Sequence, residues 1–150
     1  MSADLVIALT HFRDDLNASA PPATFRSHFT SSRPPVCIEH GPAGHPELPF
    51  LGEPFEGGDR ILHYYDLIGR VLKGKGSQFT EADLLIKERG NGRARVVWTG
   101  EAVWSVAATG KEWQEAVVWL FEMEREGGKW RIATWEVWAD PLSAYLASHS

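Results

Sequence analysis

The chain has 150 residues, 43% hydrophobic and 23% charged, with 20 acidic against 15 basic side chains for a net charge of −5. That length suits one domain over residues 1–150, able to bury a core without disulfides or a structural metal. The acidic balance argues against a nucleic-acid surface, and no apolar tract is long enough for a bilayer. The first residues place Asp4 among apolar positions without a basic leader, so they do not read as a secretory signal; cytoplasm is the expected location.

Leu5, Leu9, Phe12 and Leu16 recur at helical spacing, predicting a first helix over about residues 3–17, with Ser2 as N-cap and Asp4 in its first turn. "PPATFRSHFT" opens on proline and sets Phe25 and Phe29 about one turn apart, a short second helix. "PPVCIEHGP" reads as a short strand between prolines, and "AGHPELPFLGEPFEGG" as a loop without periodicity. "DRILHYYDLIGRVLKG" is the clearest helix: Ile61, Tyr65, Ile68 and Leu72 form a stripe, Asp59 is placed to cap it and Gly74 to end it. After Gly76 the texture changes to β-rich runs. "FTEADLLIKER", "RARVVWTGEAVWSVAA", "EWQEAVVWLFEMERE" and "KWRIATWEVWAD" are separated by glycine turns, predicting a four-strand antiparallel meander. A tail helix, "LSAYLAS", follows.

All seven tryptophans lie in the last three of these strands. Trp130 and Trp138 share one parity and Trp135 has the other, and Val97, Val103, Val118 and Leu120 make the second parity apolar as well. Three helices precede the sheet and cover one face. A second subunit packed sheet to sheet is the expected cover for the other, so a homodimer is expected.

The order helix, helix, strand, helix, curved antiparallel sheet resembles the nuclear transport factor two-like cone, and within it the SnoaL-like group. Three stretches carry the resemblance: "IEHGP…LPFLGEPFEGGDRI", "DRILHYYDLIGRVL" and "GGKWRIATWEVWADPL", where a glycine turn, an aromatic and a terminal Asp-Pro recur. The resemblance spans roughly residues 3–147. It implies an α+β fold in which a cone-shaped, curved antiparallel sheet wraps around N-terminal helices, with a pocket on the concave face. In such pockets a few polar groups inside apolar walls do the chemistry. The cone hosts many unrelated activities, so the fold alone selects none of them.

Val36, Ile38 and His40 share one strand face, which two apolar neighbours mark as inward. In ketosteroid isomerases of the same superfamily the proton-shuttling acid lies near the end of this strand. His40 is the residue nearest that place, and a histidine serves as a base near neutral pH. Glu101 stands mid-strand among Val97, Thr99 and Val103, near a position where limonene epoxide hydrolases carry an acid. Thr99 replaces the arginine of that machinery, and Val137 its second acid. Trp135, Val137 and Tyr64 are the expected binding residues. Asp140 is expected to cap the tail helix, and Cys37 to be a buried, inert thiol. His40 and His45 in "HGPAGH" lack the converging ligands of a metal site, so neither metal nor cofactor is expected. "GKGS" is not a phosphate loop, and no serine has a nucleophile-elbow context.

The pocket that the resemblance implies is read as a site of acid–base chemistry without a cofactor on a small apolar substrate: cyclisation, isomerisation or dehydration, with His40 as base and Glu101 as acid or orienter. The other reading is a non-catalytic ligand-binding or dimerisation module. The two separate on whether His40 and Glu101 face one cavity.

Overall fold

The first helix, α1 (Ala3–Asn17), sets the arrangement of the rest. Its predicted stripe is real: Leu5, Leu9 and Phe12 are all buried, while Ile7 on the opposite side is exposed. Ser2 occupies the N-cap position, but its hydroxyl bonds Asp4 rather than a helix N–H. Phe12 is the anchor. Its ring meets those of Phe25, Phe29, Trp119, Phe121 and Trp135 at centroid distances of 4.9–6.1 Å, four of them edge-on. This computed structural model describes residues 2–149.

Around α1 runs a seven-stranded sheet in the order β2-β1-β7-β6-β5-β3, with β4 also paired to β5. The strands are β1 (Val36–Glu39), β2 (Phe55–Glu56), β3 (Leu72–Gln78), β4 (Leu84–Gly90), β5 (Arg93–Val106), β6 (Glu112–Glu126) and β7 (Lys129–Trp138). All pairings of named strands are antiparallel except β1 with β7. Helices α2 (Pro22–Arg26) and α3 (Gly58–Val71) close the concave side with α1, and α4 (Pro141–Ser148) ends the chain. The result is α+β with a curved, mostly antiparallel sheet.

Three expectations need correction. The sheet is larger than a four-strand meander, because β1, β2 and β3 join it, and β3 is the predicted end of the third helix. The helix stops at Val71, and "LKGKGSQ" forms β3 against Val106 to Glu101. Its glycines remove the helical preference, and pairing with a long neighbour supplies the backbone bonds. Leu72 therefore belongs to the sheet, and Gly57 rather than Asp59 sits at the N-cap of α3, with no side-chain cap. Finally, "FTEAD" is not strand: it joins β3 to β4 along one edge of β5, with a 3-10 turn at Glu81–Asp83. Gly100 permits its close approach, since a Cβ there would stand 2.6 Å from both the Gln78 carbonyl oxygen and the Phe79 ring.

The tryptophan parities also resolve differently. The register of β6 with β7 shifts between Glu122, opposite Thr134, and Met123, opposite Ile132, leaving Ala133 as an extra residue. A bulge of this kind reverses the alternation of faces beyond it. Trp130 and Trp135, of opposite parity in sequence, are therefore both buried on the concave side, and only Trp138 leaves the convex side, 40% exposed. The convex face still carries half-buried Val97, Val103, Val118 and Leu120, with Leu85 68% exposed on β4.

Truncating Phe12 to alanine removes the group that seats α1. Urea unfolding of Phe12→Ala should show a loss of about 3–5 kcal/mol. Ile7→Ala on the exposed side of the same helix should stay within about 0.5 kcal/mol of wild type. Equal losses for the two would contradict the anchoring role of Phe12.

Candidate functional site

α1 fills only part of the concave sheet. Beyond Leu16 the sheet, α3 and β3 enclose a cavity of about 700 Å³. Its floor comes from alternate residues of three strands: Ala102 and Trp104 on β5, Val117 and Trp119 on β6, Trp135 and Val137 on β7. Phe79 stacks on Trp119 with ring centroids 3.8 Å apart, and Tyr65 and Ile68 of α3 line the opposite side. The walls are therefore aromatic and aliphatic.

Three carboxyl groups interrupt them: Asp66, exposed on α3 and paired with Arg70, and the two deeper ones, Glu39 and Glu115. The register explains Glu39. In the parallel β1–β7 pair, Cys37 lies beside Trp135 and Glu39 beside Val137, all four on the concave face. Ile38 beside Glu136 and His40 beyond it have the opposite parity. Glu39 retains some exposure, but that exposure is to the cavity, and protein surrounds the carboxyl otherwise. Burial pushes its pKa up from 4.5 to about 8, with the charge of Glu115 adding to the rise and a hydrogen bond from the Tyr64 hydroxyl opposing it. Tyr64 is itself buried on α3 and reaches both Glu39 and Cys37, and burial raises its own phenol as well as the Cys37 thiol. Cys37 is thus a buried thiol with a suppressed thiolate.

Glu115, 8% exposed on β6, is held by neutral donors. The indole Nε1 of Trp113 and the backbone N–H of Asp140 each donate to its Oε2 at 3.0 Å, and Trp104 adds a further side-chain hydrogen bond. Burial raises its pKa, while these donors favour the ionised form and moderate the rise. Asp140 points its own carboxylate away to the start of α4, accepting from the Ser143 N–H at 3.1 Å, so it caps that helix.

Among the residues singled out from the sequence, Tyr64, Trp135 and Val137 line this cavity together. His40 and Glu101 do not. The expectation that Val36, Ile38 and His40 face inward is reversed, because Cys37 and Glu39 take the concave side. His40 Nε2 lies 2.8 Å from Glu136 Oε1, and its ring stacks on Trp138 at 4.1 Å. It borders a crevice of about 20 Å³, on whose inner side Glu39 and Glu115 also lie. Glu101 is exposed and accepts a bond from the Gln114 side-chain amide at 3.0 Å. The two therefore share no cavity. In "VCIEH" both parities are apolar enough to face a core, so the alternation could not choose between Glu39 and His40. Glu115 left a clearer signal: it shares its face with Trp113, Val117 and Trp119, a carboxylate in an otherwise apolar row. Among the described residues no group of three or more His, Cys, Asp or Glu side chains is arranged to hold a metal ion, and no helix is long and apolar enough to cross a membrane.

The sequence matches no protein-family model and no curated protein. Solved structures do match. A ketosteroid isomerase-like protein from Erwinia carotovora atroseptica SCRI1043 superposes with a TM-score of 0.72 at 16% identity, covering 91% of this chain and 94% of that one. A hexachlorocyclohexane dehydrochlorinase gives 0.71 at 11% identity, covering 92% and 84%. A protein of the NTF2-like family from Streptomyces avermitilis gives 0.66 at 17% identity, covering 91% and 94%. The helices, the curved sheet and the concave cavity of this chain thus make up an NTF2-like fold.

Proposed function

We propose that the chain is an acid–base enzyme of the SnoaL-like kind, moving a proton to or from carbon in a small, largely apolar substrate, as isomerases and dehydratases do. The observation that carries this is Glu39: a carboxyl inside an aromatic cavity, held by Tyr64 and facing a second carboxyl, with its pKa pushed up to about 8. A group that titrates near neutral pH both accepts and returns protons at useful rates. The apolar walls exclude competing water and strengthen each hydrogen bond inside. In this reading Glu39 takes the proton from a carbon next to a carbonyl and returns it. Tyr64 orients the carboxyl, and the charge of Glu115 helps keep its pKa raised. A dehydratase would use Glu39 in its protonated form, to give a proton to a departing hydroxyl. The names of two neighbours of the same fold, a ketosteroid isomerase-like protein and a hexachlorocyclohexane dehydrochlorinase, support the reading.

The convex face, with Trp138 and Leu85 exposed beside half-buried valines, we read as a homodimer surface. Sedimentation should give about twice the 16.7 kDa chain mass, and Trp138→Ser should shift the protein toward monomer. A monomer at micromolar concentration for the wild type would remove this reading.

The activity is testable before the substrate is identified. In heavy water, the protein should catalyse exchange of the α-hydrogens of apolar cyclic ketones, followed by proton NMR. Glu39→Gln should reduce that rate about 10²–10⁴-fold, whereas His40→Gln should leave it within about twofold. If Glu39→Gln folds, binds the ketone and exchanges as fast as wild type, the proton-transfer reading is wrong.

Glu39 also carries a stability signature. Its folded pKa lies above its ordinary value, so the folded chain binds the extra proton between pH 4.5 and about 8. The stabilisation is complete below that window and is lost as pH rises through it. From about pH 5 to about pH 9 the melting temperature of the wild type should fall relative to that of Glu39→Gln. Parallel curves would show that Glu39 titrates normally.

A further inference from the structure

Resting on the acid–base reading of this cavity, we propose that its substrate is an organic cation, an amine with an apolar body whose positive nitrogen sits between Glu115 and the indole faces. The argument starts from unbalanced charge. Three carboxyl groups line the cavity; Asp66 is matched by Arg70, whereas every hydrogen-bond donor given to Glu115 is neutral: two indoles and one backbone N–H. The cations at the cavity wall are Arg70 and Lys73. Arg70 pairs with Asp66 at 2.7 Å on the exposed side of α3, and Lys73 is exposed on β3. Neither is among the groups that act on Glu39 or Glu115. The nearby Asp140 carboxylate adds negative charge and is committed to α4. A buried carboxylate without a counter-charge is costly, and a matching ligand cation relieves that cost.

The walls favour the same sign. Trp104 and Trp135 line the cavity, and the negative face of an indole is the best aromatic partner for a cation. An anionic substrate would meet repulsion, and a neutral one would gain nothing from the charge on Glu115.

Cation binding would also act on the base. The groups facing Glu39 are Cys37 on its own strand, Tyr64 from α3 and Glu115 from β6, while His40 points to the other face. Of these, Glu115 is the one whose charge raises the pKa of Glu39, and its repulsion helps keep Glu39 protonated. A positive nitrogen beside Glu115 cancels that repulsion, so Glu39 releases its proton to solvent and becomes a base once substrate is bound. Without the cation Glu39 stays mostly protonated, and exchange on a neutral ketone runs on its ionised fraction alone.

The test uses benzyltrimethylammonium, whose charge does not titrate, against its neutral isostere neopentylbenzene. Quenching of tryptophan fluorescence in the whole protein should show the cation binding about tenfold tighter or more. Its affinity should rise between about pH 6 and about pH 8.5, and calorimetry in buffers of different ionisation enthalpy should register proton release. Glu115→Gln should cut the preference about tenfold, leaving the smaller part that the indoles supply. Equal or weaker binding of the cation by the wild type overturns the proposal without any variant, as does an undiminished cation preference in folded Glu115→Gln. The outcome is separable from the acid–base reading. Glu39-dependent hydrogen exchange on neutral ketones together with no cation preference removes this proposal alone. Cation preference with no Glu39-dependent exchange keeps the ligand class and removes the chemistry.

Discussion

The structure depends on how far α1 reaches into the curve of the sheet. Phe12 sits among five other aromatic rings, and Leu5 and Leu9 bury the turns before it. A curved sheet cannot leave its concave side in water when that side is tryptophan, phenylalanine and valine. The helix covers one half with its own side chains. The other half lies beyond the end of the stripe at Leu16, where the chain turns away through Ser19, a non-glycine residue at φ 52°. What α1 does not fill becomes the cavity. Core and site are thus two parts of one apolar surface, separated by the length of a helix.

Two local features of the sheet then decide which polar groups enter the cavity. The parallel pairing of β1 with β7 turns Glu39 inward beside Val137, and the extra residue at Ala133 keeps Trp135 and Val137 on the same side as Trp130 and Ile132. Without the bulge, either the upper or the lower half of β7 would show its apolar residues to solvent. The bulge therefore serves packing and also aligns Trp135 next to Cys37 and Tyr64. The ring of Tyr64 meets Trp135 edge-on at 5.8 Å, which holds its hydroxyl toward Glu39.

The carboxyl pair runs against stability. Burial and mutual repulsion both disfavour ionising Glu39, and only Tyr64 is opposed to them. Elsewhere the protein treats buried carboxylates differently. Glu124, 9% exposed, receives the hydroxyls of Thr30 and Ser32 and the Arg33 guanidinium at 3.0 Å, and those partners together hold its pKa below the ordinary value. One acidic group is fully matched and joins a loop to the sheet. The other pair is left without a cation around an open cavity. Contrast of this kind separates a structural carboxylate from a reactive one.

Read alone, the sequence determined the broad form: the stripe of α1, the core of α3, the glycine turns between the long strands, the cap at Asp140 and the aromatic row on β6 all follow from periodicity and turn chemistry. Those signals are local, and the structure keeps them. It did not determine β3, because "LKGKGSQ" has no strand preference of its own and becomes strand only by pairing with β5. Nor did it determine the site. Tyr64, Trp135 and Val137 were legible as pocket residues, but the choice between Glu39 and His40 turns on one step of parity in a four-residue strand that is apolar on both sides. The parallel register with β7, set by residues about 100 positions away in the chain, made that choice, and the bulge at Ala133 sent Trp130 and Trp135 to the same face. Facing is a property of the assembled sheet, since each strand's two sides are distinguished only by what its neighbours and helices put against them.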